Sequence, residues 1–160
     1  MMQHSAVLIH LASEEDTSRL GDWLSARLSP GDTVLLEGPI GSGKSHLARA
    51  IIRHRLGSDE DVPSPTFTLV QTYALPAGGE IWHADLYRLV HPDEVIELGL
   101  DHAFGQEICL VEWPDRLGDL APAQALRITF HQQGEGRDIL VQGSTVWADR
   151  LKELQETWND

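Results

Sequence analysis

The chain has 160 residues, of which 41% are hydrophobic and 23% are charged, and its formal net charge is −13 at pH 7. This length and composition predict a single globular domain over residues 1–160, which would bury roughly 70% of the surface of the unfolded chain. Only 12 lysines and arginines oppose 25 acids, so the chain lacks the basic surface that nonspecific nucleic-acid binding requires. Any contact with RNA is therefore expected to need a partner protein.

A single cysteine, Cys109, excludes an internal disulfide and any metal site built from several thiolates. It lies between Ile108 and Leu110, and this apolar context predicts a small buried side chain. The N-terminus has no basic region, and no apolar run approaches the roughly 18 residues of a transmembrane helix. We therefore expect a soluble protein of a reducing, cytoplasmic compartment.

The first part of the chain predicts a strand, a helix and a second strand. Residues 6–11 form an apolar run, and Ser13 with the three acids that follow it is typical of a helix N-terminus. The helix ends at the turn of residues 29–32 and presents one apolar face, made of Leu20, Trp23, Leu24 and Leu28. The apolar residues 33–37 then predict a strand.

The next stretch, Gly38-Pro39-Ile40-Gly41-Ser42-Gly43-Lys44-Ser45, matches the phosphate-loop pattern G-x-x-x-x-G-K-[ST] between a strand and a helix. Glycines let successive backbone N–H groups turn towards a phosphate, and the new helix adds its unpaired N–H groups and positive dipole end. Lys44 would place a charge on the β- and γ-phosphates, and the Ser45 hydroxyl could ligate Mg²⁺. The predicted nucleotide-binding residues are Gly38, Gly41, Ser42, Gly43, Lys44, Ser45 and His46.

The helix that follows the loop is predicted to end near Gly57, a residue suited to a helix C-cap. Its apolar face repeats at helical spacing through Leu47, Ile51, Ile52 and Leu56. Arg49 and Arg53 lie four residues apart on another face, which is either a solvated surface or a patch for an acidic partner.

Residues 59–66 are predicted to form a stiff loop, because Pro63 and Pro65 push the residues before them towards extended conformations. The loop presents Thr66 at its end. This threonine is a candidate sensor of the γ-phosphate, and the alternative is an ordinary loop residue.

The rest of the chain completes an α/β pattern. Strands are predicted at residues 67–73, 81–87 and 108–113, and an antiparallel hairpin at 126–130 and 138–142. Helices are predicted from Pro92 to about Leu98 and from about Thr145, the second with Trp147, Leu151, Leu154 and Trp158 on one face. The predicted fold is α/β: a P-loop NTPase-like, mainly parallel sheet with helices on both faces and a C-terminal antiparallel hairpin.

Two acids stand at predicted strand ends, where the ligands of such sheets bind. Asp85 is the best candidate for a second Mg²⁺ ligand, with a capping or turn aspartate as the alternative. Glu112 could orient or deprotonate an attacking water, with an exposed strand-end carboxylate as the alternative. His83 and Asp85 share one strand face, but no further ligand cluster has suitable spacing, so a zinc site is not predicted.

Four segments, in this order in a small acidic chain, resemble the TsaE (YjeE) family: the phosphate loop, Ser64-Pro65-Thr66-Phe67, His83-Ala84-Asp85-Leu86-Tyr87-Arg88 and Leu110-Val111-Glu112-Trp113-Pro114. Members of that family are small bacterial P-loop ATPases of tRNA threonylcarbamoyladenosine biosynthesis. The resemblance spans roughly residues 30–116. The loop departs from the family at two points, because Ser45 stands where threonine is common and Pro39-Ile40 replaces a more usual Asp-Leu.

The resemblance implies an ATP- and Mg²⁺-dependent site. Ser45, Asp85 and Glu112 would serve the metal and hydrolysis, and Thr66 would lie in a switch-like loop. Lys44, Glu112 and Thr66 are accordingly the expected catalytic residues. In addition, Trp113 would stand beside the nucleotide, and Arg137 resembles a family position near it.

The resemblance also implies partners. The chain would act with the TsaB and TsaD proteins, and ATP hydrolysis would support transfer of the threonylcarbamoyl group to adenosine 37 of tRNAs that read codons beginning with A. The chain would contact tRNA only through that complex, and neither a membrane nor DNA is an expected partner.

Other functions remain open at this stage. A small-molecule P-loop kinase would close an arginine-rich lid over the phosphates, but between Asp85 and Gly118 only Arg88 and Arg116 are available. A GTPase would use an N-K-x-D element, whereas the only asparagine is Asn159. A nucleotide-dependent adaptor, whose bound state recruits partners and whose hydrolysis is secondary, fits the same residues.

Overall fold

A computed structural model describes residues 4–57, 62–63, 65, 68–133 and 136–158. Within these residues, seven strands form one sheet in the order β1-β7-β6-β2-β5-β4-β3. In chain order they are β1 His4–Leu11, β2 Thr33–Glu37, β3 Val70–Ala74, β4 Glu80–Asp85, β5 Ile108–Glu112, β6 Leu126–Gln133 and β7 Gly136–Ser144. The central strands β6, β2, β5 and β4 run parallel, whereas β7 and β3 run antiparallel to their neighbours. The predicted sheet and its C-terminal hairpin are thereby confirmed.

Helices cover both faces of this sheet, as predicted. They are α1 Glu14–Arg27, α2 Lys44–Leu56, α3 Asp93–Glu97, α4 Leu100–Ala103 and α5 Ala148–Trp158, with short 3₁₀ helices at Pro114–Leu120 and Thr145–Trp147. Successive side chains of β2 point to opposite faces of the sheet and so enter two different cores. Val34 and Leu36 pack with α1, α2 and α5, whereas Leu35 packs with α3 and α4. Among the described residues, no helix combines the length and the apolar character needed to cross a bilayer.

The helix ends follow the capping residues in the sequence. The Ser13 side chain accepts a hydrogen bond from the Asp16 backbone N–H, which satisfies one of the unpaired donors at the start of α1. Gly57 closes α2 in the left-handed conformation, and its N–H donates to the carbonyls of Arg53 and His54. The apolar face predicted for the last helix is also confirmed, since Trp147, Leu151 and Leu154 are buried.

Several strand ends differ from the predictions, and three of these differences have a visible local reason. The third strand begins at Val70, because Leu69 before it adopts a left-handed conformation, with φ of 68°, which is not that of a strand; the predicted start at residue 67 lies outside the described residues. The fourth strand stops at Asp85, because the Tyr87 backbone N–H donates to Asp85 Oδ1 in a turn. The fifth strand stops at Glu112, because Trp113 also has a left-handed φ, of 58°.

Cys109 lies inside β5 and is fully buried, as its apolar neighbours predicted. Burial, assisted by the nearby Glu107 carboxylate, raises the pKa of the thiol to about 12. Because the thiolate is the reactive form, burial and the raised pKa disfavour reaction of this cysteine at neutral pH.

Candidate functional site

Two glycines shape the loop between β2 and α2. Gly38 has a φ of 144°, and a Cβ there would come within 2.9 Å of the Phe130 Cβ on β6. Gly43, with a φ of 111°, precedes the first residue of α2, so no side chain caps the first N–H groups of that helix. The loop therefore packs closely on the sheet and leaves its helix N-terminus available to an anion.

Lys44 begins α2 and is buried. Its ammonium group donates to the Gly38 carbonyl and lies 3.7 Å from the centre of the Trp113 ring, so it makes both a hydrogen bond and a cation–π contact. Burial lowers the pKa of Lys44, and the negative charges of Glu112 and Asp85 oppose that shift. The site thus holds one partly desolvated cation between the loop and two carboxylates.

Glu112 connects the helix to the sheet. The Ser45 hydroxyl donates to Glu112 Oε1 at 2.7 Å. His83 Nε2 lies 2.7 Å from Glu112 Oε2, and the side chains of His83 and Glu112 are 0% and 2% exposed. Both oxygens of this buried carboxylate therefore have a hydrogen-bond partner from a different element.

Asp85 and Glu112 stand side by side at the carboxyl ends of β4 and β5, where the strand register pairs them directly. Asp85 is also buried, at 6% exposure. The ring of Tyr87, two residues later, lies with its centre 5.0 Å from that of Trp113. Two carboxylates and two aromatic rings therefore meet at this edge of the sheet.

These residues line a cavity of about 460 Å³. It brings together most of the predicted site residues, namely Gly41, Ser42, Gly43, Lys44, Ser45, His46, Asp85, Glu112 and Trp113. Arg49, Arg88 and the acid Glu14 also line the cavity, so it contains two arginines that the sequence analysis did not assign to the nucleotide site. Arg49, predicted to lie on a separate helix face, also lines a neighbouring cavity of about 970 Å³ together with Arg53.

Arg137 is close to the loop but does not line that cavity. Its Nε donates to the Ser42 carbonyl at 2.9 Å, and its Nη2 donates to the Gly41 carbonyl at 3.2 Å. The guanidinium group thus binds the backbone of the loop from β7. The remaining candidate, Thr66, lies outside the described residues.

His83 is the residue whose contact the sequence analysis missed. The shared strand face of His83 and Asp85 was visible in the H-x-D spacing, but the partner of His83 is a carboxylate on the neighbouring strand. No spacing along one strand reveals such a contact, because it depends on the register between two strands.

The donor set at this end of the sheet suits Mg²⁺. Ser45, Asp85 and Glu112 offer hydroxyl and carboxylate oxygens, which are the hard ligands that this ion prefers. Among the described residues, no group of three or more His, Cys, Asp or Glu side chains is arranged to hold a metal. A magnesium ion would therefore take its other ligands from phosphates and water, as it commonly does.

Comparison with known proteins is consistent with this geometry. Residues 11–139 match the family model described as threonylcarbamoyl adenosine biosynthesis protein TsaE. The tRNA threonylcarbamoyladenosine biosynthesis protein TsaE of Rickettsia felis is 36% identical over 132 residues, covering 82% of this chain and 77% of the relative. The protein of the same name from Bacillus subtilis is 36% identical over 125 residues, covering 76% and 75%.

The fold comparison agrees. The crystal structure of Bacillus subtilis YdiB superposes with a TM-score of 0.72 at 25% identity, covering 100% of this chain and 99% of that one. The family model alone covers well over half of the sequence. The chain therefore belongs to the TsaE family.

Proposed function

We propose that this chain is a Mg²⁺-dependent ATP-binding and ATP-hydrolysing subunit required for the N6-threonylcarbamoyladenosine modification of adenosine 37 in tRNA. It acts in the cytoplasm with the TsaB and TsaD proteins and reaches tRNA only through their complex. Membership of the TsaE family supports the pathway, and the phosphate loop supports the nucleotide. The observation that carries the proposal is the hydrogen bond from Ser45, the residue after the loop lysine, to Glu112.

The proposed roles follow from these contacts. Lys44 places its charge on the β- and γ-phosphates, and the N-terminus of α2 binds the phosphates through its N–H groups. Ser45, Asp85 and Glu112 would hold Mg²⁺, which when bound neutralises the charge that develops on the phosphates. Glu112 also orients the attacking water, and Thr66 senses the γ-phosphate.

A nucleotide-dependent adaptor is the second candidate, and the two hydrogen bonds of Glu112 favour it. Both oxygens of Glu112 already accept hydrogen bonds, one from Ser45 and one from His83. A carboxylate with both oxygens engaged is less open to a water molecule than an exposed one. An adaptor would need ATP to bind at this site, but it would not need this carboxylate to activate water.

The substitution Glu112→Gln separates the two candidates, because it keeps the side-chain shape and removes the charge. General-base assistance is worth roughly 10²–10⁴-fold, so ATP hydrolysis should fall by that order while ATP still binds. Trp113 should report binding through its fluorescence, because its ring contacts Lys44. Turnover, fluorescence and tRNA modification with TsaB and TsaD would be measured together.

The outcomes divide the candidates cleanly. Loss of both hydrolysis and tRNA modification supports the ATPase. Normal tRNA modification by a Glu112→Gln protein that no longer hydrolyses ATP would support the adaptor. Hydrolysis at the wild-type rate would assign the activation of water to another residue.

A further inference from the structure

Glu112 is a buried carboxylate whose orientation depends on two donors. Its Oε1 accepts from the Ser45 hydroxyl of α2, and its Oε2 faces His83 Nε2 of β4, both at 2.7 Å. A carboxylate oxygen bonded in this way accepts, so the imidazole nitrogen is the donor. Loss of either donor would leave a buried oxygen without a partner, which is unfavourable away from water.

His83 occupies a fully buried position on β4. Two residues before it on the same strand face, Ile81 is fully buried in the apolar cluster beneath α2. The register places His83 opposite Leu110 and Asp85 opposite Glu112, so the imidazole reaches along the strand direction to the carboxylate. An apolar side chain at this position could be buried too, but it would donate no hydrogen bond.

The other ring nitrogen gives His83 no competing role in the described part of the chain. His83 Nδ1 is buried and has no hydrogen-bond partner among those residues. The polar contact of the ring is therefore the contact with Glu112.

From these contacts we infer that His83 is a positioning residue, which fixes the orientation of the Glu112 carboxylate so that Oε1 stays on Ser45. The inference rests on the proposed ATPase function, because the consequence of losing this orientation is slower ATP turnover. Without the donor at Oε2, the carboxylate can rotate about its last bond and leave the Ser45 hydroxyl. Outer partners of this kind commonly change affinity or activity by about 10- to 100-fold.

Three variants test the inference in the full chain, with and without TsaB and TsaD. His83→Leu keeps the volume and removes the donor, whereas His83→Gln places an amide N–H near the position of the imidazole Nε2. Ile81→Val, on the same buried strand face, is the matched control for a change in packing alone. Turnover at saturating ATP, affinity for a fluorescent ATP analogue and melting temperature would be measured for each.

We expect His83→Leu to lower turnover by about 10- to 100-fold with an affinity change of only a few-fold. His83→Gln should recover most of the lost turnover, and Ile81→Val should keep wild-type turnover even if its melting temperature falls. Equal losses in His83→Leu and His83→Gln would overturn the inference, as would wild-type turnover in His83→Leu. If His83→Leu does not fold, His83→Asn replaces it, because its shorter amide does not reach Glu112.

A second test asks whether His83 acts through Glu112. In a Glu112→Gln background, His83→Leu should lower turnover no further, because the group that it positions is already altered. Independent, multiplying losses would overturn the inference and indicate a merely structural histidine. Lys44→Ala in the same assay separates the two proposals. If this variant retains wild-type turnover, the ATPase site itself is wrong. If it loses turnover while the His83 variants keep theirs, only the inference about His83 is rejected.

Discussion

Lys44 has a crowded environment for a charged side chain. Its ammonium group donates to backbone carbonyls of the loop and lies against the face of Trp113, and the negative charges of nearby carboxylates act on it. Burial lowers its pKa, and the nearby acids act in the opposite direction. A lysine held in this way is preorganised, since its charge is already positioned beside the N-terminus of α2.

We predict that Lys44→Ala weakens ATP binding by about 10- to 150-fold, because a hydrogen bond to a charged group contributes about 1.5–3 kcal/mol. Lys152, an exposed residue of α5, provides the matched control, because it is the other lysine of the chain. Lys152→Ala should bind ATP normally. The measurement is titration calorimetry with ATP and Mg²⁺, and equal affinities for all three proteins would contradict the site assignment.

For single residues, the sequence predicted residue types better than residue contacts. The phosphate-loop pattern and the two strand-end acids were recognisable, because each depends on local spacing. The contact of His83 with Glu112 and the position of Arg49 on the cavity wall were not, because they depend on how neighbouring elements pack. The assignment of Arg137 to the nucleotide stays a prediction from the resemblance, and its contacts with the loop backbone were not predicted.

The hairpin of β6 and β7 is the element that supports the phosphate loop from outside. Phe130 on β6 lies against Gly38 and within about 3.5 Å of the position that a Cβ on Gly43 would occupy. Arg137 on β7 adds two hydrogen bonds to loop carbonyls. The late part of the chain therefore contributes to the shape of a loop about 95 residues earlier.

We predict that Arg137→Gln weakens ATP binding by roughly tenfold, because the shorter glutamine side chain loses the two hydrogen bonds that fix the loop. Turnover at saturating ATP should change less, since Lys44, Ser45 and Glu112 remain in place. Arg150→Gln is the control, because Arg150 pairs with Asp32 at 2.9 Å and does not contact the loop. An Arg137→Gln protein with normal affinity but slow turnover would instead favour a direct role in hydrolysis.

Element type was more predictable than element ends. Helices α1 and α2 and strand β2 follow clear caps and apolar runs, and the structure confirms them. The third strand begins after the left-handed Leu69, the fourth stops at the turn made by Asp85, and the fifth stops before the left-handed Trp113. No apolar pattern in the sequence records these local changes. The short α4 and the 3₁₀ helix after β5 were not predicted, because segments of this length have little periodicity.

Over the whole molecule, a net charge of −13 contrasts with the local charge of the cavity. Lys44, Arg49 and Arg88 all line it, alongside the acids Glu14, Asp85 and Glu112, so its cations and acids balance. The acidic surface disfavours the approach of polyanions, whereas the cations of the cavity attract a phosphate at short range. This contrast is consistent with a subunit that binds a nucleotide itself and leaves tRNA to its partners.

The last prediction concerns ATP turnover by the chain alone and in its complex. We expect slow hydrolysis by the isolated chain and acceleration by the TsaB–TsaD pair, which would either supply a charge to the γ-phosphate or act through Thr66. A stabilising arginine supplied by a partner is worth roughly 10³–10⁵-fold in other P-loop enzymes. Because Arg49 and Arg88 already line the cavity, we expect the acceleration by the partners to lie towards the lower end of that range. The measurement compares wild type and Glu112→Gln, each alone and with the pair, and Glu112→Gln should respond little.

A fast isolated chain whose rate the partners leave unchanged would reject a partner-dependent mechanism. Equal stimulation of wild type and Glu112→Gln would instead mean that the partners act without this carboxylate.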